Sequence, residues 1–283
     1  MAKKKNTRTV IGTPLTPTLL KKLHAFDELP RFKQSDFDPQ GNWGITYRIW
    51  TCHGYHETGN QNVGFLRIER SSDSSNETFT LDVEQEVVET DGILNIVEAH
   101  IKCLNNQLAS PVQWELTSGF INTNNDTAAS LLTKEKGIIE KNIMRVERDG
   151  RIVKRKVAEH LSCDWCLFEA VPRLEFDKKE LPPFDMLEGL SLLRQDQHLF
   201  YRDIYPQKVG EKTANLCKFD QLGHGILPYE YWLDTKHRLL VVTSMNKAYI
   251  SDVWAIQTIK QKTEQLQKSY ERMKDARRKQ INE

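Results

Sequence analysis

The segment "ETFTLDVEQEVVE" at residues 77–89 alternates apolar and polar side chains along most of its length. Its apolar members would share one face of an extended chain, and they are Phe79, Leu81, Val83 and Val87. Because successive side chains of a β-strand point to opposite faces of the sheet, this period predicts a strand with one buried face and one wet face. The fold class then depends on whether other segments repeat the pattern.

Other segments with a strand-like period lie on both sides of this one. They occupy residues 43–56, 62–71, 93–104, 111–121, 198–205, 213–223, 226–234 and 238–251. Short links such as "SSDSSN" and "TDG" indicate antiparallel neighbours, because a parallel connection needs a dozen or more residues. The pair Asp149-Gly150 separates two extended runs between residues 138 and 159, and such a pair is a strong signal for a hairpin turn. A tight "DTKH" turn joins the last two segments.

The length of these segments predicts a curved sheet. Several hold about 10–13 residues, whereas typical strands hold about 5–6. Long antiparallel strands twist and curl, so their apolar face becomes the inside of a trough. We therefore predict a mainly β (α+β) fold, a long curved antiparallel sheet or half-barrel that is apolar on its concave side only.

Short helices are predicted to cover the trough. Thr16 and Pro17 begin an amphipathic segment at 17–28, Ser162 can cap a helix at 162–171, and residues 184–194 repeat apolar side chains at helical spacing. The predicted organisation is a basic flexible tail at 1–15 and a single β-rich domain at 16–252. That domain has a helical insert near 162–194, and a charged C-terminal helix follows at 253–283.

Composition excludes several function classes. The 283 residues carry 40 Lys and Arg against 39 Asp and Glu, so no global field attracts nucleic acid or an anionic membrane. Five cysteines at irregular spacing favour a reducing compartment over a disulfide framework. The basic N-terminus lacks the apolar run of an export signal, and no stretch has the length of a membrane span. As written, the sequence predicts a cytoplasmic protein, or a periplasmic or secreted one if a signal has been trimmed.

The segment "LSCDWCLFEA" at 161–170 leaves three interpretations open. His160, Cys163 and Cys166 supply three zinc-type ligands, and the fourth could be Cys52, His53 or His56. A redox pair is the second interpretation, because the start of a helix lowers a thiol pKa. The third is an ordinary buried helical turn with Cys163 and Cys166 on one side, and we favour it. No cofactor or metal is expected.

The common local signatures of catalysis do not occur. The sequence contains neither GxSxG, HExxH nor GxxxxGK[ST], and "GHGILP" at 223–228 is too short for a phosphate loop and reads as a bend. These observations favour a binding protein over an enzyme.

The last helix has a narrow apolar seam. Its members step by three and four, and they are Ile256, Ile259, Thr263, Leu266, Tyr270 and Met273. Eight Lys or Arg in residues 253–283 outweigh four acids. Three interpretations remain: the helix docks on its own protein, it contacts a protein partner or a second copy, or it contacts a polyanion.

The late segment "GILPYEYWLDTKHRLLVV" carries a resemblance. Together with the long strands and the insert "CDWCLFEAV…FDMLEGLSLLR", it resembles the lipoprotein-carrier superfamily and its uncharacterised relatives, whose last hairpin commonly reads as an aromatic residue, Trp-Leu-Asp, a turn and Arg-Leu-Leu. The matching positions are Tyr229, Tyr231, Trp232, Leu233, Asp234, Arg238, Leu239 and Leu240. The resemblance implies a half-barrel with a helical lid, lipid or lipidated-chain binding, and an exported protein.

The predicted function follows from how completely the helices fill the trough. If they fill it only partly, a lipid-like or hydrophobic peptide ligand would bind in an apolar cleft, and we predict Tyr229, Tyr231 and Trp232 as ligand-binding residues at its rim. If side chains such as Phe79 and Trp114 fill it, the protein would act through its C-terminal helix. A metal or redox protein using Cys163 and Cys166 is the second alternative.

Overall fold

The computed structural model describes residues 37–51, 61–88, 93–121, 131–176, 180–209, 212–244 and 247–282. The predicted tail at 1–15 and the predicted helix at 17–28 lie outside the described residues.

Fifteen strands lie in the described part of the chain. In chain order, β1 to β8 are Trp43–Thr51, Gln61–Ser72, Thr78–Val88, Leu94–Leu104, Pro111–Ile121, Leu131–Glu140, Ile143–Arg148 and Arg151–Lys156. The strands β9 to β15 are Leu161–Cys163, Phe184–Glu188, Leu192–Val209, Lys212–Gly223, Tyr229–Asp234, Leu239–Thr243 and Lys247–Ser251. Two α-helices accompany them, α1 at Asp164–Ala170 and α2 at Ala255–Asn282, and a 3-10 turn follows α1 at Val171–Arg173.

All fifteen strands belong to one sheet, which consists of two meanders. The first runs outward from β1 to β8, and the second runs inward from β9 to β15, where β15 pairs with β1. Every neighbouring pair is antiparallel except β9 and β10. The predicted hairpin at Asp149-Gly150 joins β7 to β8, and both turn residues have the positive φ (48° and 74°) that a type I′ turn requires.

Connectivity forces this sheet to roll up. A flat sheet of fifteen strands would measure about 67 Å from edge to edge at ~4.8 Å per strand spacing. The chain nevertheless passes from β8 at one edge to β9 at the other through residues 157–160. Five extended steps reach at most roughly 18 Å, so the two edges must approach each other. The predicted curved antiparallel fold is confirmed, and the sheet remains unclosed.

Two hydrogen bonds mark the seam where the rolled sheet meets itself. The Ser110 hydroxyl donates to the Leu161 carbonyl at 2.6 Å, and the Ser162 hydroxyl donates to the Leu108 carbonyl at 2.7 Å. The strand β9 therefore docks on the turn between β4 and β5, three strands short of the β8 edge. Because the Ser162 hydroxyl makes this contact, it does not cap α1 as predicted. The N-cap is Cys163, whose Sγ accepts from the Cys166 N–H at 3.2 Å.

The apolar core lies between the concave face and α1. Phe79, Leu81 and Val83 are almost fully buried, as the alternation predicts, and Val87 packs against the same cluster. Helix α1 contributes Trp165 and Phe168, among others, to this cluster. Most of the trough is therefore filled by the protein's own side chains.

The predicted helix at 184–194 is wrong. Residues 184–188 form β10, a turn covers 189–191, and β11 begins at Leu192. The first four residues of β10 are all buried, including Asp185, so burial does not alternate along this strand. Periodicity cannot distinguish a short, fully buried strand from a buried helix. Leu190 in the turn lies three residues after Leu187, so the apolar residues had an apparent helical spacing.

The prediction that only the concave side is apolar is also wrong. Phe65 and Val88 lie on the convex side, where α2 covers them with Ala255 and Ile259. In the apolar stripe predicted for the last helix, Ile259 and Thr263 are buried and Ile256 and Leu266 are partly buried. The side chains of Tyr270 and Met273 lie outside the description. An ion pair between Arg48 and Asp252 fastens the start of α2 to β1. The first turns of α2 therefore pack their apolar stripe against the sheet of the same chain. Recruitment of a partner through 253–283 stays a prediction.

Candidate ligand-binding cavity

A cavity of about 260 Å³ remains where α1 leaves the concave face uncovered. It lies between the start of α1, the inner face of β10 to β13 and the start of β15. Its lining consists of Asp164, Trp165, Phe168, Met186, Glu188, Arg194, Gln221, Gly225, Ile226, Leu227, Tyr229, Tyr231, Ser244, Lys247 and Tyr249.

Aromatic rings form the apolar wall. The ring of Phe168 on α1 meets those of Tyr249 and Tyr231 edge-on, with centroids 5.4 Å and 6.4 Å apart. Tyr229 stacks beside Tyr231 at 6.5 Å. Edge-on contacts are a favoured geometry of aromatic rings, so α1, β13 and β15 together form one aromatic wall for an apolar group.

The hydroxyl of Tyr231 is the first donor in a chain of buried hydrogen bonds. It donates to Gln221 Oε1 at 2.8 Å, Gln221 Nε2 donates to Gln197 Oε1 at 3.3 Å, and Gln197 Nε2 donates to the His224 carbonyl at 3.2 Å. Both glutamines are almost fully buried. Because a buried amide is costly unless it is paired, this chain holds the turn after β12 against the cavity.

Asp164 contributes a carboxyl group to the wall. Its oxygens accept from the N–H groups of Trp165 at 3.1 Å and Gly189 at 3.2 Å. Burial outweighs these bonds and raises the pKa of Asp164 to about 7, with Glu188 adding to the rise. Burial also raises the pKa of Tyr229 to about 12, so its phenol stays protonated and can both donate and accept.

Charged side chains stand at the mouth. Arg194 pairs with Glu188, with its Nε and Nη2 each 2.7 Å from the same oxygen, Oε2. Lys247 is exposed on the opposite side, at the start of β15. The cavity therefore offers an apolar interior and a mouth with groups of both signs.

The structure brings two of the three predicted rim residues together. Tyr229 and Tyr231 share one face of β13 and line the cavity, whereas Trp232 points to the opposite face. There Trp232 contacts the ring of Tyr205 at 5.9 Å and lies under the Lys218 ammonium at 5.2 Å. Alternation along β13 could have separated Trp232 from its neighbours.

Sequence reasoning missed Asp164 and the turn residues Ile226 and Leu227. The turn was recognised as a bend at 223–228, and the structure confirms a turn, but nothing in its sequence places it at a cavity. Asp164 sits inside the cysteine segment, where the first turn of a helix often carries an acid for electrostatic reasons alone. Neither position has a local signal for ligand binding.

In the hairpin that contains Trp-Leu-Asp and Arg-Leu-Leu, the charged residues Asp234 and Arg238 stabilise the turn. Asp234 Oδ1 accepts from the N–H groups of Lys236 and Arg238, both at 2.9 Å, and Oδ2 lies 3.2 Å from Arg238 Nε. These contacts close the turn between β13 and β14. They account for an Asp and an Arg at these positions without a ligand.

Cys103, Cys163 and Cys166 lie in the core. Cys163 Sγ lies 2.9 Å from Cys166 Sγ, which lies 3.6 Å from Cys103 Sγ, and all three are fully buried. Burial raises the pKa of Cys163 and Cys166, the reverse of what a redox thiolate needs. This supports the interpretation as a buried helical turn.

The proposed zinc set does not assemble in the part of the chain that is described. His160 is exposed whereas the thiols are buried, and Cys52, His53 and His56 lie outside the described residues. Two thiolates bound to one tetrahedral zinc at ~2.3 Å would lie about 3.8 Å apart, which is wider than the Cys163–Cys166 separation. Across the described residues, no three His, Cys, Asp or Glu side chains are placed to hold a metal ion.

A second concavity of about 320 Å³ lies on the convex side of β2 to β5. Its charged side chains pair with one another, as in Arg67 with Glu69 and His100 with Asp82. These pairs are exposed, so we regard this groove as a solvated surface. Among the helices that the structure describes, none has the length and apolar character needed to span a bilayer.

Replacing Asp164 by asparagine should change how stability depends on pH. The raised pKa means that, between about pH 4 and pH 7, the folded protein holds a proton that the unfolded chain has lost. The contribution of this carboxyl to the unfolding free energy is therefore fully present below about pH 4, and it is lost as the pH rises to about 7. Relative to Asp164→Asn, the wild type should lose more than about 1 kcal/mol of unfolding free energy between pH 4 and pH 8. Urea titrations of both proteins measure this, and parallel profiles would contradict it.

Comparison with known proteins supports the fold alone. No protein-family model matches the chain, and no curated protein matches it. Among solved structures, the chain is similar to a beta-barrel-like protein of domain of unknown function DUF1849 from Brucella abortus. The match has a TM-score of 0.50 and 8% sequence identity, and it covers 75% of this chain and 95% of that one. It supports a curved, barrel-like β fold, and it does not single out the lipoprotein-carrier superfamily.

Proposed function

We propose that this is a non-enzymatic binding protein that takes up one apolar group of an amphiphilic ligand in the cavity beside α1. The observation that carries the proposal is a partly filled trough: an aromatic-walled space of about 260 Å³ persists although most of the described concave face is packed. Burying such a group supplies roughly 25 cal/mol per Å² of apolar surface.

The volume narrows the ligand class. Pockets for drug-sized molecules measure about 300–1,000 Å³, so this cavity is just below that range. A short acyl chain or one apolar side chain of a peptide fits, whereas a whole two-chain lipid does not. The resemblance to lipoprotein carriers supports a lipid-like group, and the polar mouth at Lys247 and the Glu188–Arg194 pair supports a polar remainder outside.

A homologous series of neutral detergents tests this proposal. We expect isothermal titration with n-alkyl glucosides, from butyl to decyl, to show affinity rising about fourfold per carbon, at ~0.8 kcal/mol per methylene, until the cavity is full and then levelling off. A neutral head group keeps the charges at the mouth from dominating the result.

Matched variants assign the binding to this cavity. Leu227 lines it and is 43% exposed, so Leu227→Asp should fold and bind at least about tenfold more weakly. Leu104 is similarly exposed, at 40%, but lies at the end of β4, and Leu104→Asp should bind like wild type. Equal loss in both variants, or affinity independent of chain length, would reject the proposal.

A further inference from the structure

The strand β8 is an open edge of the sheet. It pairs with β7 on one side, and within the described residues no strand pairs with its other side. All six of its residues are exposed. The cause lies in the seam, because β9 docks on the turn between β4 and β5 and leaves β6 to β8 projecting beyond it.

Backbone groups of β8 point away from the sheet at known positions. In a two-residue hairpin the residues flanking the turn, Arg148 and Arg151, form a hydrogen-bonded pair, and pairs then alternate. Val153 and Arg155 therefore bond to β7, whereas the N–H and C=O groups of Ile152 and Lys154 face outward. Such a row of free donors and acceptors is a template for one more strand.

The charge of this edge is strongly positive. Four of the six residues in "RIVKRK" are Lys or Arg: Arg151, Lys154, Arg155 and Lys156. None of the four forms an ion pair with another described residue, whereas Arg148 on β7 is paired with Glu135. Ile152 and Val153 are 50% and 57% exposed and give the edge some apolar surface.

These charges select the partner. Two copies of β8 would place like charges opposite one another, which destabilises a cross-strand pair. An acidic strand would place carboxylates opposite Lys154 and Lys156 on one face of the sheet, or opposite Arg151 and Arg155 on the other, and would meet the free backbone groups as well. The edge therefore disfavours a second copy of this chain and favours an extended acidic segment.

We propose that β8 is a docking site for an extended, acidic segment of a partner protein, which adds to the sheet as a further strand. The partner's backbone bonds to the outward groups of Ile152 and Lys154, and its Asp or Glu side chains meet the cations of β8. This surface is separate from the cavity beside α1, and the proposal does not depend on ligand binding there.

The test uses synthetic peptides and the full chain. The probe is a fluorescent peptide Thr-Glu-Val-Glu-Val-Glu-Thr, with two controls: the same peptide with Lys for Glu, and the acidic peptide N-methylated at alternate residues. Fluorescence anisotropy should show that the acidic peptide binds at least about tenfold more tightly than either control. Amide exchange at Ile152 and Lys154 should slow in the complex.

Two variants at one position separate backbone pairing from charge. Lys154→Pro removes the outward N–H as well as the side chain, whereas Lys154→Ala removes the side chain only. Proline is tolerated on an edge strand when its N–H side faces solvent, so both variants should fold. We expect Lys154→Ala to weaken binding about two- to fivefold, as for one exposed ion pair, and Lys154→Pro to weaken it several-fold further.

Four results would overturn the proposal. If the N-methylated peptide binds as tightly as the acidic one, or Lys154→Pro binds like Lys154→Ala, the contact is ionic and no strand is added. If the basic peptide binds equally well, charge does not select the partner. If the chain alone forms dimers that Lys154→Pro abolishes, a second copy occupies the edge.

Discussion

Replacement of Glu169 by alanine should lower the unfolding free energy by about 3–5 kcal/mol, because it leaves two arginines in or near the core without their anion. Glu169 is fully buried on α1, and its Oε1 accepts from Arg70 Nε of β2 at 2.8 Å. Its Oε2 accepts from Arg173 Nη2 at 2.8 Å. The guanidinium of Arg70 also lies 4.3 Å from the centre of the Phe79 ring and donates to the Gly41 carbonyl. This cluster fixes α1 inside the trough.

Removing Glu169 is expected to cost much more stability than the intact cluster contributes, because the burial of the carboxylate and its attraction to the two arginines nearly cancel. Burial raises the pKa of Glu169, and Arg173 and Arg70 oppose that rise without cancelling it. The complete cluster therefore contributes little net stability, whereas its disruption exposes the full cost of buried charge. Glu169→Gln, which keeps the acceptor oxygen and the shape, should lose less than Glu169→Ala.

Urea denaturation measures the change, and Glu115→Ala is the matched control. Glu115 also pairs with a cation, Lys136, at 2.6 Å, but both side chains are exposed on the convex face. Its removal should leave the unfolding midpoint unchanged. A Glu169→Ala protein as stable as wild type would show that the cluster does not hold α1 in place.

Gly137→Ala should lower the unfolding free energy by a similar amount, about 3–5 kcal/mol. Gly137 on β6 lies directly opposite Trp114 on β5, and the indole folds over it. A Cβ at Gly137 would lie 1.9 Å from the ring of Trp114, which is 1% exposed. The indole must leave its site, so the loss should approach that of a large-to-small change at a buried tryptophan.

The control for Gly137 is another strand glycine with room for a methyl group. A Cβ at Gly44 on β1 would meet only the flexible side chain of Glu69, so Gly44→Ala should change stability by less than about 1 kcal/mol. Trp114→Leu combined with Gly137→Ala should be far less destabilised than the sum of the single changes, because the clash is gone. Strict additivity in thermal or urea unfolding would contradict this account.

Local patterns were sufficient to predict much of the strand arrangement. Strict alternation at Phe79, Leu81 and Val83 marked the buried face of β3, and Asp149-Gly150 marked the turn between β7 and β8. Each depends on a few adjacent residues and on backbone sterics that no distant contact overrides. The same reasoning failed at β10, where both faces are buried and the period of two disappears.

The candidate cavity was only partly predictable. An apolar space between sheet and helices was expected, and Tyr229 and Tyr231 lie in its wall. Asp164 and Leu227 were not expected there, because they reach the cavity only when α1 and the turn after β12 come together. That approach depends on buried contacts such as the chain from Tyr231 to Gln221 and Gln197, which no spacing along the chain reveals.

The amino-acid order alone specified a long antiparallel meander, because periodicity and turn chemistry act over a few residues. The packed fold decided where the roll closes, since Ser110 meets Leu161 across 51 positions of chain and many weak contacts set that distance together. From that closure follow the space beside α1 and the uncovered strand β8. Both depend on which surfaces remain after packing, a property of the whole chain and not of any segment.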